Sequence, residues 1–205
     1  MSHPALSLFV VDDDEAVRSS LGLLLISRGY AVQVFDSGEA FLEAIDAQWS
    51  GCVILDLRMD GMSGLQVFDE LRSRGSPLVV VFLSGHGDIP SAIAAVQSGA
   101  FTWLEKPCAD DKLLDAVRRA LDRAAELAAE RRRRDQARTR WERLTPREKD
   151  VARHVAQGKA NKVIARDIVP PMEPRTVETH RANIFAKLDV VNSNELDRFM
   201  RDNGL

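Results

Sequence analysis

Residues 6–29 read LSLFVVDDDEAVRSSLGLLLISRG, and this stretch decides the fold. Leu6 to Val11 is short, apolar and closed by Asp12, Asp13 and Asp14, the pattern of a buried strand. Glu15 to Arg28 then places Val17, Leu21, Leu24 and Leu25 on one helical face and stops at Gly29. The same unit recurs downstream. Strand-like runs at Ala31 to Phe35, Cys52 to Leu55, Leu78 to Leu83 and Phe101 to Leu104 alternate with helical stretches at Gly38 to Ala47, Leu65 to Arg74 and Ile89 to Ser98. Five βα units in succession predict an α/β doubly wound parallel sheet with helices on both faces, joined by right-handed crossovers.

From Asp110 the pattern changes. DDKLLDAVRRALDRAAELAAERRRRDQARTRWERL contains no Gly or Pro and predicts one long helix. Leu114, Val117, Leu121, Ala124 and Ala128 follow a 3-4 spacing, a short seam. Covering the sheet accounts for its beginning, and dimerisation or a solvated helix for its continuation. After Trp141 the chain reads as a small all-α domain, with helices at Pro146 to Gln157, Lys159 to Asp167, Arg175 to Leu188 and Ser193 to Asp202. Thr145, Pro146 and Glu148 make a helix start with a capping hydroxyl, a proline at the first helical position and an acid three residues after the cap. The organisation expected is a 1–122 domain, a 123–143 helical linker and a 144–205 helical domain.

Composition narrows the class. Of 205 residues, 45% are hydrophobic and 29% charged, which suits a folded domain and excludes a disordered tail. The longest apolar run, Leu78 to Leu83, is far short of the roughly 20 residues that span a bilayer. Cys52 and Cys108 make no disulfide framework, and MSHPALSLFVVDDDE lacks a basic start, so a cytoplasmic location with no membrane partner is expected. The charge is divided. Residues 1–110 carry 6 Lys and Arg against 15 Asp and Glu, whereas residues 111–205 carry 22 against 16. An acidic half suits a cation or a basic partner, and a basic half suits an anionic one.

Ligands of open parallel sheets bind beyond the carboxyl ends of the strands. The residues at those ends are Asp12, Asp13 and Asp14, then Asp56, Ser84 and Lys106. Carboxylates gathered in one crevice repel one another unless a cation neutralises them, and hard oxygen donors suit Mg²⁺. A nucleophilic carboxylate, a metal, an ammonium and a hydroxyl are what phosphoryl transfer to a carboxylate requires. Singly, each residue has a plainer use: a helix cap, a turn, a surface charge.

VVDDDEAVR, VILDLRMDGMSG, VVFLSGHGD and WLEKP resemble the receiver domain of two-component response regulators. LTPREKDVARHVAQGKANKVIA followed by PRTVETHRANIFAKLDV resembles the LuxR-type helix-turn-helix, and the pair is similar to FixJ-type regulators. The resemblance implies strand order 2-1-3-4-5 and Asp56 as phosphoacceptor. It implies Asp12 and Asp13 as the acidic pair, with Asp13, Asp56 and the Arg58 backbone carbonyl as Mg²⁺ ligands. Lys106 would bind the phosphoryl group and precede a cis Pro107. Ser84 and Trp103 match the hydroxyl and aromatic that move together on activation, while His86 matches no ligand. The implied partners are a sensor histidine kinase, double-stranded promoter DNA and, on phosphorylation, a second copy docked through the fourth helix, fifth strand and following helix.

Departures from the pattern matter as well. Asp60 replaces a usual Pro, freeing φ and adding a carboxylate within reach of the crevice. Cys108 stands where Phe is common, and the turn before the recognition helix is two residues longer than usual. On that helix Val177, Ile184 and Leu188 form the buried stripe. Arg175, Glu178, Thr179, Arg181, Ala182, Asn183 and Lys187 remain for DNA. By resemblance Glu178, Thr179 and Ala182 face bases, and Lys162, Arg175 and Thr176 face phosphates. The reading is a phosphorylation-activated transcription regulator rather than an enzyme. A haloacid-dehalogenase-like phosphatase could share Asp12-x-Asp14, Ser84 and Lys106, but needs a further strand after the lysine. A receiver joined to a protein- or RNA-binding helical domain is the third alternative.

Overall fold

The computed structural model describes residues 6–46, 49–85 and 89–205. Ala47, the expected end of the second helix, and His86 lie outside them. Five strands, β1 (Ser7–Val11), β2 (Val32–Phe35), β3 (Gly51–Asp56), β4 (Val79–Ser84) and β5 (Thr102–Glu105), form one parallel sheet in the order β2-β1-β3-β4-β5. Helices α1 (Glu15–Ser27), α2 (Gly38–Ala44), α3 (Gly64–Ser73) and α4 (Ile89–Gln97) connect them, and α5 (Asp110–Glu142) follows β5. No strand occurs among residues 106–205, so the further strand that a haloacid-dehalogenase-like fold needs is missing.

The chain divides into two compact units, Met1–Ala129 and Glu130–Leu205. In the first, consecutive strand residues face opposite sides, and both sides are covered, which is why the central strands read as unbroken apolar runs. Phe9, Val11, Val53, Leu55, Val80 and Phe82 pack with Phe41, Val67 and Leu71 on one side. Leu8, Val10, Cys52, Ile54, Val79 and Val81 pack with Leu25, Val117 and Ala120 on the other. Where α5 covers the sheet its buried residues are Leu113, Ala116, Val117, Ala120, Ala124 and Ala128, so Val117, Ala124 and Ala128 of the expected seam are buried while Leu114 and Leu121 are only half-buried. The expected two-position seam is thus a wider stripe, as a helix lying on a broad sheet requires.

In the second unit α6 (Pro146–Ala156), α7 (Asn161–Asp167), α8 (Pro174–Leu188) and α9 (Ser193–Asn203) enclose Val151, Val155, Ile164, Val177, Ile184, Leu188 and Leu196, joined by Trp141 of α5. Thr145 caps α6 through a reciprocal pair with Glu148, as its sequence predicts. The six residues between α7 and α8 are tied back: Met172 N–H donates to the Ala165 carbonyl at 3.0 Å, and Arg147 donates to the carbonyls of Val169, at 2.8 Å, and of Pro170.

Candidate functional site

At the carboxyl edge of the sheet four of the five strands end in or beside a polar residue read as part of the site. β1 ends beside Asp12, buried to 1% exposure; β3 ends in Asp56, 8% exposed; β4 ends in the buried Ser84. Asp14 is spent as the N-cap of α1, accepting from the N–H groups of Ala16 and Val17. Oxygens of Asp12, Asp13 and Asp56 lie within 4.8 Å of one another. Lys106 follows β5, and its Nζ donates to Asp12 Oδ2 at 2.6 Å and Asp56 Oδ2 at 2.8 Å. The Lys106–Pro107 bond is cis.

The electrostatics follow from the burial. Loss of solvent pushes the Asp56 carboxyl above the usual carboxylate range; Lys106 opposes that, and the neighbouring Asp12 adds to it. For Lys106 burial pulls the other way, but bonds to both carboxylates more than compensate and hold it above an ordinary ammonium. Three carboxylates about one ammonium leave excess negative charge, and an all-oxygen donor set is what a hard divalent cation takes. The residues therefore fit Mg²⁺. Arg58 N–H donates to Asp56 Oδ1 at 3.3 Å, which places the residue beside the acceptor. Trp103 is half-buried against the core, its Nε1 buried without a hydrogen-bond partner among the described residues.

Two contributors escaped the residue-by-residue reading, and a third was read by the wrong atom. Arg18, inside the quoted VVDDDEAVR, donates to the carbonyls of Asp12 at 2.7 Å and Asp13 at 3.0 Å, clamping the loop that carries both acids. Glu39 accepts from Met62 N–H at 2.9 Å and steadies the loop after Asp56. Asp60, expected to bring its carboxylate to the crevice, brings its N–H instead, 2.8 Å from Asp13 Oδ2, and its carboxylate is outside the three-acid group. The Asp60 side chain is exposed, and the loop turns directly after it at Gly61, φ 77°, a conformation that glycine adopts without strain.

Of the residues read as facing DNA, Arg175, Thr176, Glu178, Thr179, Ala182 and Asn183 are exposed on α8 and Lys162 is exposed on α7. Arg181 is half-buried, its guanidinium 5.6 Å from the centre of the Phe185 ring and donating to Asn161 Oδ1 at 3.0 Å. Asn161 also donates to Glu178 at 3.4 Å. Lys187 is placed otherwise than its position on the helix suggests: its ammonium is bound to both carboxylate oxygens of Glu148.

The response regulator receiver domain family matches residues 8–118, and the LuxR family of bacterial regulatory proteins matches residues 142–200. This chain belongs to the response regulators. It is 42% identical to the transcriptional regulatory protein FixJ of Azorhizobium caulinodans over 95% of the chain and 91% of that protein. Among solved structures, the response regulator StyR superposes with a TM-score of 0.83 at 37% identity, covering 95% of this chain and 98% of the other. Full-length FixJ from B. japonicum gives 0.58 at 35% identity, with 98% of each chain covered. The response regulator is a transcription regulator, with a receiver to accept a kinase's signal and a LuxR-type domain to bind DNA. No helix among its described residues is long and apolar enough to cross a membrane.

Proposed function

We propose that Asp56 is the phosphoacceptor and that its phosphorylation by a sensor histidine kinase drives a second copy onto the receiver and the pair onto promoter DNA. One observation carries this: a buried carboxylate at a strand end, 2.8 Å from a lysine ammonium and within 4.8 Å of two further acids. An Asp56 oxygen attacks phosphorus, the bond from phosphorus to the kinase imidazole nitrogen breaks, and its electron pair stays on that nitrogen. Lys106 pairs with the phosphoryl oxygens that gain charge, and the Ser84 hydroxyl supplies a further donor. Asp12, Asp13, Asp56 and the Arg58 carbonyl would hold Mg²⁺, which screens the negative charges that must approach one another. The response regulator's only chemistry is then its own phosphorylation and dephosphorylation, in the cytoplasm.

Movement of Ser84 toward the phosphoryl group lets Trp103 change position, and the face of α4, β5 and α5 changes with it. Residues 144–205 carry 11 Lys and Arg against 9 Asp and Glu, so one copy makes few phosphate contacts and two linked copies gain by effective concentration. Arg175, Thr176 and Lys162 would meet phosphates, and Glu178, Thr179, Ala182, Asn183 and Arg181 the base edges and their flanks. Intact-protein mass spectrometry with a small phosphodonor tests the chemistry. A Mg²⁺-dependent adduct should form on the wild type and vanish in Asp56→Asn; an adduct that survives the substitution removes Asp56 from the role.

A further inference from the structure

Asp12, Asp13 and Asp56 are held in different ways. Asp12 and Asp56 are buried, share the Lys106 ammonium, and each accepts an N–H from its own loop, Asp14 at 3.0 Å and Arg58 at 3.3 Å. Asp13 is exposed, and the hydrogen bond to its carboxylate comes from 47 residues away, the backbone N–H of Asp60 at 2.8 Å. We propose that Asp60 is a positioning residue for divalent-cation binding and acts through this N–H, with its carboxylate taking no part. This rests on the reading that the three acids hold Mg²⁺.

The physical case has three parts. An exposed aspartate turns about two bonds, and a ligand that must be caught in one rotamer binds a cation more weakly than one already held there. A carboxylate has two oxygens, so a donor on Oδ2 orients the group and leaves lone pairs for a metal. The donor is itself fixed. Two residues on, Met62 N–H is bound by Glu39 at 2.9 Å; further along, Gly64 N–H is bound by the Leu57 carbonyl at 3.1 Å. The loop after the phosphoacceptor is thus strung between Asp13 and Glu39, and the metal site and the loop share a bond. The Asp60 carboxylate is exposed, and its field at the crevice is screened by water and salt.

The test is calorimetric titration of the full-length protein with Mg²⁺ alone. Asp60→Ala keeps the N–H and loses the carboxylate, and should bind within about twofold of the wild type. Asp60→Pro loses both, and its affinity should fall on the order of three- to tenfold, the net worth of one ordinary hydrogen bond at an exposed carboxylate. Equal losses in the two variants, or none in Asp60→Pro, overturn the proposal. Amide exchange gives a reading that needs no proline: the Asp60 N–H should be protected in the wild type and exposed in Asp13→Ala, and equal exchange in both overturns the proposal too. Wild-type affinity in Asp13→Ala would instead overturn the three-acid site itself, a result distinguishable from either outcome at position 60.

Discussion

Lys187 on α8 donates to both carboxylate oxygens of Glu148 on α6, at 2.8 and 2.7 Å, and Glu148 also accepts the Thr145 N–H at 2.8 Å. Glu148 is 3% exposed, so this is a buried carboxylate with its charge matched, tying the capped start of one helix to the far end of another. Burial raises the Glu148 carboxyl pKa, but the bonds from Lys187 and Thr145 together outweigh it and leave the group below its ordinary range. A depressed carboxyl contributes stability that is complete above its unfolded pKa, about 4.3, and is lost as pH falls through the lower folded value. The second unit should therefore lose helicity in acid over that window. Lys187→Met leaves the carboxylate without its cation, and burial then dominates. Its cost near neutrality should be about 2 kcal/mol, reduced from the fully buried case because the lysine keeps solvent contact. The pH slope should also reverse, with stability rising as pH falls toward 5. Circular dichroism melts from pH 7 to 3 decide it, and an unchanged slope in Lys187→Met would sink the account.

Gly64 opens α3 directly behind the phosphoacceptor. A Cβ there would lie 2.0 Å from the Asp56 carbonyl oxygen, a backbone atom that cannot give way without moving the acceptor. Gly64→Ala should cost about 3 kcal/mol or more in receiver stability and abolish phosphate uptake in whatever fraction still folds. A thermal melt within a degree of the wild type contradicts this packing.

The crevice sets stability against function. Asp56 is held above the usual carboxylate range by burial and by Asp12, so its ionised form opposes folding when no divalent cation is bound. In chelator at neutral pH, Asp56→Asn should melt above the wild type. The difference should shrink as pH is lowered, because protonation removes the same penalty. Lys106→Ala should act in the opposite sense, leaving Asp12 and Asp56 without the ammonium they share, and Mg²⁺ should restore much of the loss. An Asp56→Asn protein less stable than the wild type in chelator would show that burial is not the dominant influence on this group.

Much of this was legible before the fold was known, for reasons particular to the residues. Asp12, Asp56, Ser84 and Lys106 follow apolar runs bounded by turn formers, and a parallel sheet brings all its strand ends to one side. Thr145 and Glu148 announce a helix start by spacing alone. What escaped depends on partners distant in sequence. Glu148 lies 39 residues before Lys187, and helix periodicity, which put that lysine on the DNA-facing list, carries no information about it. Asp60 was read by its side chain, whereas its backbone makes the contact. Leu114 and Leu121 fit a narrow seam, but the sheet selects the wider stripe through Leu113, Ala116 and Ala120.

The placement of side chains on α8 separates three kinds of DNA effect. Arg175 is exposed in the first turn, where a cation meets a phosphate without reading sequence. Arg175→Ala should weaken binding to all sequences alike and lower the slope of log affinity against log salt by about 1. Glu178 is exposed one helical turn from the start and held by Asn161 of α7. Glu178→Ala should relax preference at one base pair, by about 1–3 kcal/mol, with the salt slope unchanged. Lys187 supplies the control: with its ammonium bound to Glu148 it should add nothing to that slope, and Lys187→Met, compared at temperatures where it is folded, should match the wild type across salt. Fluorescence anisotropy on a promoter fragment and its single-base variants at four salt concentrations measures all three. A salt slope that falls by about 1 in Lys187→Met would mean that the lysine leaves Glu148 for a phosphate on DNA. No change in Arg175→Ala or Glu178→Ala would mean that the turn held by Arg147 directs a different face of α8 into the groove.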